Sequence, residues 1–312
     1  MIEGQMGLDW SRWRSIAHLT EELGFAGLYR SDHFLDPGAP TDDSLELIAA
    51  LTHLAAASER LTFGAMVAPV SFREPVMYAR QGAALASLSG GRYRHGLGAG
   101  WMEREHEAYG FDLGDVRTRL DRFAEALEIT RLLLRSDEPV SFDGRFYRLL
   151  DAPPASPRPS EPVPICIGGK GPARTLPLVA RYADVWNGSV LTADAFRDTS
   201  TRLDELLATE GRAPSSLRRT IMTGIYFGRD SAALDERLRR LRAQPHLADV
   251  SSSELVAMLN DAGMIAGTTD DVREQLAARA EAGCDEVMLQ WLWLDDLDGI
   301  AELAEVTLER TS

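Results

Sequence analysis

The stretch Leu23-Gly24-Phe25-Ala26-Gly27-Leu28-Tyr29-Arg30-Ser31-Asp32-His33-Phe34 sets the reading of the whole chain. Ahead of it, Trp10 to Leu23 places apolar residues at helical spacing, and Gly24 is the residue type that closes a helix in the left-handed conformation. Phe25 to Tyr29 is apolar enough to be covered on both faces, as a parallel strand is. The chain then turns polar at once, at Ser31-Asp32-His33. A covered strand that ends in a polar, titratable loop is the repeating part of an α/β protein.

Working outward, the same part recurs. Strands are predicted at residues 2–5, 25–29, 61–67, 93–97, 163–167, 183–186, 220–227 and 286–290. Helices are predicted at 10–23, 45–57, 76–88, 117–135, 173–181, 193–209 and 272–282. Thr268 and Asp271 form a capping-box pattern ahead of the last helix, and Gly283 closes it. Alternation of this kind gives a doubly wound sheet or a barrel. Eight units favour a (β/α)8 TIM barrel, which takes about 250 residues. The 312 residues therefore form one barrel domain, 1–312, with insertions. The first, about 137–162, holds a hairpin signal with Asp143-Gly144 at its turn, then a proline-rich run from Pro153 to Pro159. The second, about 229–267, is mostly helical. The first strand, Ile2-Glu3-Gly4-Gln5, is short, and Gln5 falls at the floor of the expected pocket.

The chain has 33 basic and 48 acidic residues, a net charge of −15 and a pI of about 4.9. That balance argues against nucleic acid and against an anionic membrane surface as partners. No apolar run reaches the roughly 20 residues that span a bilayer. The N-terminus has neither the basic nor the apolar region of a signal peptide. Cys166 and Cys284 read as buried reduced thiols in strands. A cytoplasmic protein fits all of this. Lys170 is the only lysine, and it sits in a glycine loop.

In a barrel of this class the chemistry lies on the loops after the strands. There, Asp32-His33 places two titratable groups together, able to bind a polar ligand edge or relay a proton; the alternative is a structural histidine. Gly168-Gly169-Lys170-Gly171-Pro172, with Arg174, can hold an anion through backbone N–H groups, a helix start and two cations; the alternative is a tight turn. His106 is a candidate behind the site, His95 belongs to the barrel wall, and His18, His53 and His246 read as structural or solvated. The chain lacks the histidine and cysteine spacings of zinc sites and the nucleophile elbow of hydrolases. Gly96-x-Gly98-x-Gly100 lacks the spacing of a dinucleotide fingerprint.

Taken together, the segments 23–34, Gly64 to Arg73, Leu88 to Trp101, Glu103 to Phe111, Ile167-Gly168-Gly169, Arg181 to Asn187 and Gly267 to Gly283 resemble the bacterial luciferase-like oxidoreductases. Within them, the chain is most similar to the branch that depends on coenzyme F420. The resemblance implies the same barrel and a deazaflavin bordered by Asp32 and His33. It implies that Ala65, Met66 and Val67 carry a cis non-prolyl bond bulging toward the ring. Ala99, Gly100 and Trp101 would line the ring and its ribityl chain, and Gly168, Gly169 and Gly171 would hold the phosphate. Met102 stands where relatives often carry Asn. His33 would move a proton or position the ring, Asp32 would orient His33, and Trp101 and Phe72 would wall the site. The reaction implied is hydride transfer between the deazaflavin C5 and a small organic substrate. FMN with oxygen, in a monooxygenase, is the alternative, and a non-catalytic flavin-binding protein is a third. Lys170, Arg174, Arg73 and Arg104 are the cations that could meet the acidic tail of F420. The family also implies a homodimer. The apolar side of helix 117–135, with Leu120, Phe123, Leu127 and Leu134, is the candidate face.

Overall fold

The computed structural model describes residues 1–36 and 43–308. The chain opens with α1 (Trp10–Leu23), β1 (Gly27–Arg30), α2 (Leu47–Ala57), β2 (Thr62–Ala65), β3 (Ala68–Pro69), α3 (Pro75–Leu88) and β4 (Tyr93–Gly98). It continues through α4 (Glu103–Tyr109), α5 (Val116–Arg135), β5 (Val140–Asp143), β6 (Arg148–Ala152), β7 (Ile165–Gly168), α6 (Thr175–Tyr182) and β8 (Val185–Ser189). The last third holds α7 (Ala193–Thr209), β9 (Arg218–Phe227), α8 (Ser231–Arg242), α9 (Ser252–Asp261), β10 (Ile265–Gly267), α10 (Thr269–Glu281), β11 (Glu286–Gln290) and α11 (Leu297–Thr307).

Strands β1, β2, β4, β7, β8, β9 and β11 pair in parallel, each with the next. Ile2 bridges in parallel to Arg30 on one side and to Trp291 on the other. The 2–5 segment is thus the eighth stave, and it closes the (β/α)8 barrel. The short first strand expected from the sequence suffices because one bridge residue reaches both neighbours. Gly24 adopts φ 85° and caps α1, and the Thr268–Asp271 capping box opens α10.

Strand and helix bounds fall within two or three residues of the sequence reading. The first insertion forms the antiparallel β5–β6 hairpin, and the second contains α8 and α9. The sequence reading left out β3, β10, α4 and α11, all short or next to strong turn signals. Cys166 lies buried in β7, where burial pushes its thiol up to about 12. Cys284 departs from expectation: it is half-buried in the turn before β11, not in a strand. The apolar side of α5 also needs correction as a dimer face. Phe123, Leu127 and Leu134 are buried within the chain's own core, where α5 packs on α3 and α6.

Inside the barrel, Tyr29, Met66, Cys166, Val185 and Met288 fill the middle. The Arg94–Glu286 ion pair at 3.0 Å lies beyond them, near the strands' N-terminal ends. The filling stops short of the strands' C-terminal ends and leaves a cleft there. Among the described residues, no helix is long and apolar enough to cross a membrane.

Candidate active site

The cleft has a volume of about 630 Å³. Its walls come from the strand ends and the loops that follow them, including Ser31, His33, Met66, Val67, Ala99, Trp101, Gly168, Asn187 and Gln290. Of the residues singled out from the sequence, Met66, Val67, Ala99, Gly100, Trp101, Gly168, Gly169 and His33 meet in this cleft. The Met66–Val67 peptide is cis, as the resemblance implied. Ala65 is buried one residue behind it.

Glycines shape the wall. A Cβ on Gly98 would lie 2.5 Å from Val67 Cγ2, and one on Gly168 would lie 3.0 Å from Val67 Cγ1. Their bare backbones give Val67 room to lie across the strand ends, so the wall beside it is apolar and closely built. Gly169 holds φ 123°, a conformation that an L side chain rarely adopts.

His33 is one of three titratable side chains among the described residues that line the cleft, with Glu3 and Asp36. Its Nδ1 lies 2.8 Å from Glu105 Oε1, and Glu105 Oε2 accepts the Phe34 N–H at 3.0 Å. Glu105 is fully buried in the first turn of α4, where a helix start favours a carboxylate. An ionised carboxylate only accepts, so Nδ1 carries the proton and Nε2 is the ring nitrogen left to serve the cleft. Burial opposes charge on His33, but the hydrogen bond and charge of Glu105 outweigh it, and the net effect raises the His33 pKa. Trp101, largely exposed, meets the His33 ring edge-on at 5.5 Å between centroids.

Asp32 has another task. Its carboxylate is buried and ion-paired with Arg73, whose Nη2 also donates to Glu46 at 2.8 Å. The expectation that Asp32 orients His33 is therefore corrected: the carboxylate on the ring is Glu105. Side chains of successive residues on an extended chain leave in opposite directions, which separates Asp32 from its neighbour. Phe72 does not line the cleft. It stacks with Phe34, His106 and Phe111 behind it. His106 donates from Nδ1 to Met102 O at 2.6 Å and lies 2.7 Å from Ser71 Oγ through Nε2, so it braces the loop from within. His95 is buried in the wall, and burial lowers it to about 3.

The glycine loop divides. Gly168 and Gly169 reach the cleft, while Lys170, Gly171 and Arg174 stand outside it. The Gly169 N–H donates to Asn187 O at 3.0 Å. Lys170 Nζ donates to Val190 O at 3.1 Å, and Arg174 pairs with Asp121.

Sequence reasoning missed Glu105, although it lies in a quoted loop. The usable signal was a carboxylate one turn into a helix that follows a barrel strand. It also missed Glu3 and Gln290 on the floor, which become neighbours only when the barrel closes.

A closed parallel barrel with a glycine-walled cleft and a carboxylate-held histidine at the strands' C-terminal ends defines a (β/α)8 protein of the luciferase-like type. The sequence pattern of the luciferase-like monooxygenases matches residues 2–286, and the chain belongs to that family. It is 32% identical to an F420-dependent glucose-6-phosphate dehydrogenase of Intrasporangium calvum over 225 residues, 68% of this chain and 64% of that protein. It is also 32% identical to the pyrimidine monooxygenase RutA of Escherichia coli over 176 residues, 55% of this chain and 47% of that protein. The matched part thus spans between about half and two thirds of these relatives' length. Among solved structures, an F420-dependent secondary alcohol dehydrogenase in complex with an F420-acetone adduct superposes with a TM-score of 0.81 at 20% identity, covering 98% of this chain and 97% of that one. The coenzyme F420-dependent tetrahydromethanopterin reductase of Methanopyrus kandleri gives 0.76 at 17% identity, covering 98% and 96%. Likeness at this identity speaks for the fold.

Proposed function

We propose that the protein is a coenzyme F420-dependent oxidoreductase that transfers a hydride between the cofactor and a small organic substrate. The observation that carries this reading is the His33–Glu105 pair at the edge of a glycine-walled cleft, together with F420-dependent relatives. The residues present fit such a cofactor. Val67, seated over Gly98 and Gly168, gives an apolar wall for a flat ring system, and Asn187 and Ser189 add polar edges.

Met66, Val67, Ala99, Gly100 and Trp101 would hold the ring, and Gly168 and Gly169 the start of the chain that carries the phosphate. Coenzyme F420, when bound, supplies hydride transfer at the deazaflavin C5. His33 Nε2 holds or accepts the proton that accompanies hydride transfer, while Glu105 fixes the ring and supports its charged form. Trp101 flanks His33 edge-on at the mouth of the cleft. Asp32 acts through Arg73 as a buried brace of the loop.

A second reading, an FMN-dependent monooxygenase, is favoured by the RutA relationship and by the cleft lining, which holds no Arg or Lys among the described residues. Titrating the purified protein with F420 and with FMN, followed by cofactor fluorescence and absorbance, separates the two. Tight FMN binding without F420 binding would overturn the first. We also infer that the protein is a cytoplasmic homodimer. A stable species of monomer mass in light scattering at micromolar concentration contradicts that.

A further inference from the structure

The floor of the cleft is built around a carboxylate. Glu3, on the closing strand, is 8% exposed and lines the cleft. Gln5 Nε2 donates to its Oε2 at 2.9 Å, and Gln290 Nε2 donates to its Oε1. Ser31 Oγ in turn donates to Gln5 Oε1 at 2.9 Å and accepts the Gly4 N–H at 3.0 Å. The network therefore runs one way, from Gly4 through Ser31 to Gln5, and the Gln5 amide then donates to Glu3. An ionised carboxylate offers about four acceptor sites, and these two amides fill two of them.

Among the described residues, Glu3 forms no ion pair. Arg30 senses it only through space. The Met1 amine does so too, and burial lowers that amine to about 6. Elsewhere in the cleft wall, Asn187 spends its amide N–H groups on Thr220 Oγ1 at 2.9 Å and on the Met288 sulfur at 3.5 Å, so its carbonyl oxygen is what it can offer a ligand. The floor thus centres on a buried carboxylate with acceptor sites left over, while Gln5 and Gln290 each keep a second amide N–H beside it. Such a carboxylate gains from a hydroxyl hydrogen, and its charge disfavours an anion placed against it.

We propose that Glu3, held by Gln5 and Gln290, determines specificity: it takes a hydroxyl group of an uncharged substrate and excludes phosphorylated and carboxylated ones. The inference rests on the oxidoreductase reading for the word substrate, but the charge contrast belongs to the chain itself.

The test uses two matched pairs of probes, glucose with glucose 6-phosphate and 2-butanol with 3-hydroxybutyrate, measured by saturation-transfer NMR and competition. Each pair is run on the F420-loaded protein and on the protein without cofactor. A separate F420 fluorescence titration reports on the oxidoreductase reading, so its failure is distinguishable from failure of the charge contrast. In at least one pair, the neutral member is expected to bind ten times tighter or more, and neither anion should bind better than its partner. Glu3→Gln should shrink the gap to about threefold, and Glu3→Asp should keep it, with circular dichroism confirming the fold of each. The proposal is overturned by an anion that matches or beats its neutral partner, by an unchanged gap in folded Glu3→Gln, or by binding of no probe. The wild-type comparison decides the matter even where a variant does not fold.

Discussion

Glu105 Oε1 stands 2.8 Å from His33 Nδ1 while Glu105 Oε2 takes the Phe34 N–H at 3.0 Å, so one buried carboxylate fixes both the ring and the backbone beside it. The ring is left with a single nitrogen, Nε2, to serve the cleft. If that nitrogen moves a proton during turnover, His33→Ala should lower kcat by about 10²–10⁴-fold, the usual worth of general acid–base catalysis. Glu105→Gln should lower it less, because an amide oxygen can still orient the ring but no longer supports its charge. Cofactor affinity should change little in either. Single-turnover F420 reduction, read beside the binding titration, checks this; near wild-type turnover in His33→Ala removes His33 from the chemistry.

The same pair makes a prediction about stability. Glu105 raises the His33 pKa in the folded state above its ordinary value of 6.5. A raised histidine binds its proton more tightly when folded, so its contribution is fully present below 6.5 and is lost as pH rises through the folded value. Glu105→Gln removes that support. The stability difference between wild type and Glu105→Gln should therefore be larger at pH 6 than at pH 8.5. Urea midpoints at both values measure it, and a pH-independent difference contradicts the assignment.

The barrel was legible because eight strand segments alternate with seven helical ones, and because residues such as Gly24 and Thr268 mark the ends of elements by their own chemistry. The location of the site was legible for the same reason, since a barrel concentrates polar loops at one end. The partner of each side chain was not. Asp32 and His33 are adjacent in sequence, yet their carboxylate and cation partners, Glu105 and Arg73, come from other loops. The Glu3–Gln290 contact joins residues 287 apart and exists only because Ile2 closes the barrel. Periodicity reports which face a residue takes, and it says nothing about who stands opposite.

Arg73 and Asp32 form a buried ion pair, and Arg73 has a second carboxylate in Glu46 while Asp32 leans on Arg73. The two ends should respond unequally. Arg73→Met strands Asp32 as a buried carboxylate and should destabilise the fold by about 3–5 kcal/mol. Asp32→Asn leaves Arg73 paired with Glu46 and should cost about 1–3 kcal/mol, the range for an imperfectly satisfied buried group. Denaturant unfolding of both variants tests the order; equal losses contradict it.

Lys170 and Arg174 flank the same glycine loop but stand differently. Arg174 is taken by Asp121, whereas among the described residues Lys170 donates to one backbone carbonyl, Val190 O, and forms no ion pair. A charge-assisted contact is worth roughly 1.5–3 kcal/mol, so Lys170→Ala should weaken cofactor binding about tenfold or more. Arg174→Ala should weaken it about twofold, within the range of an exposed ion pair. F420 titrations measure both. No loss in Lys170→Ala removes the lysine from the phosphate site and leaves that role to the loop backbone.

Gly82 lies in the middle of α3, where an alanine would by itself favour the helix by about 0.8–1 kcal/mol. Packing reverses that sign. A Cβ at Gly82 would lie 2.6 Å from His95 Nδ1, and His95 cannot retreat. Its ring lies 4.0 Å from that of Tyr78, and its Nδ1 lies 3.1 Å from Tyr93 Oη. Tyr78 is itself tied down, donating to Gly96 O at 3.0 Å. Forcing one methyl into a core this tight costs about 1–3 kcal/mol, so Gly82→Ala should destabilise the protein by up to about 2 kcal/mol after the helix gain. His95→Ala opens the space the methyl needs. Gly82→Ala should then be neutral or stabilising in the His95→Ala background, which gives a coupling energy of about 1–3 kcal/mol in a double-mutant cycle. Additive losses in denaturant unfolding would show that the glycine is not there to make room for the histidine.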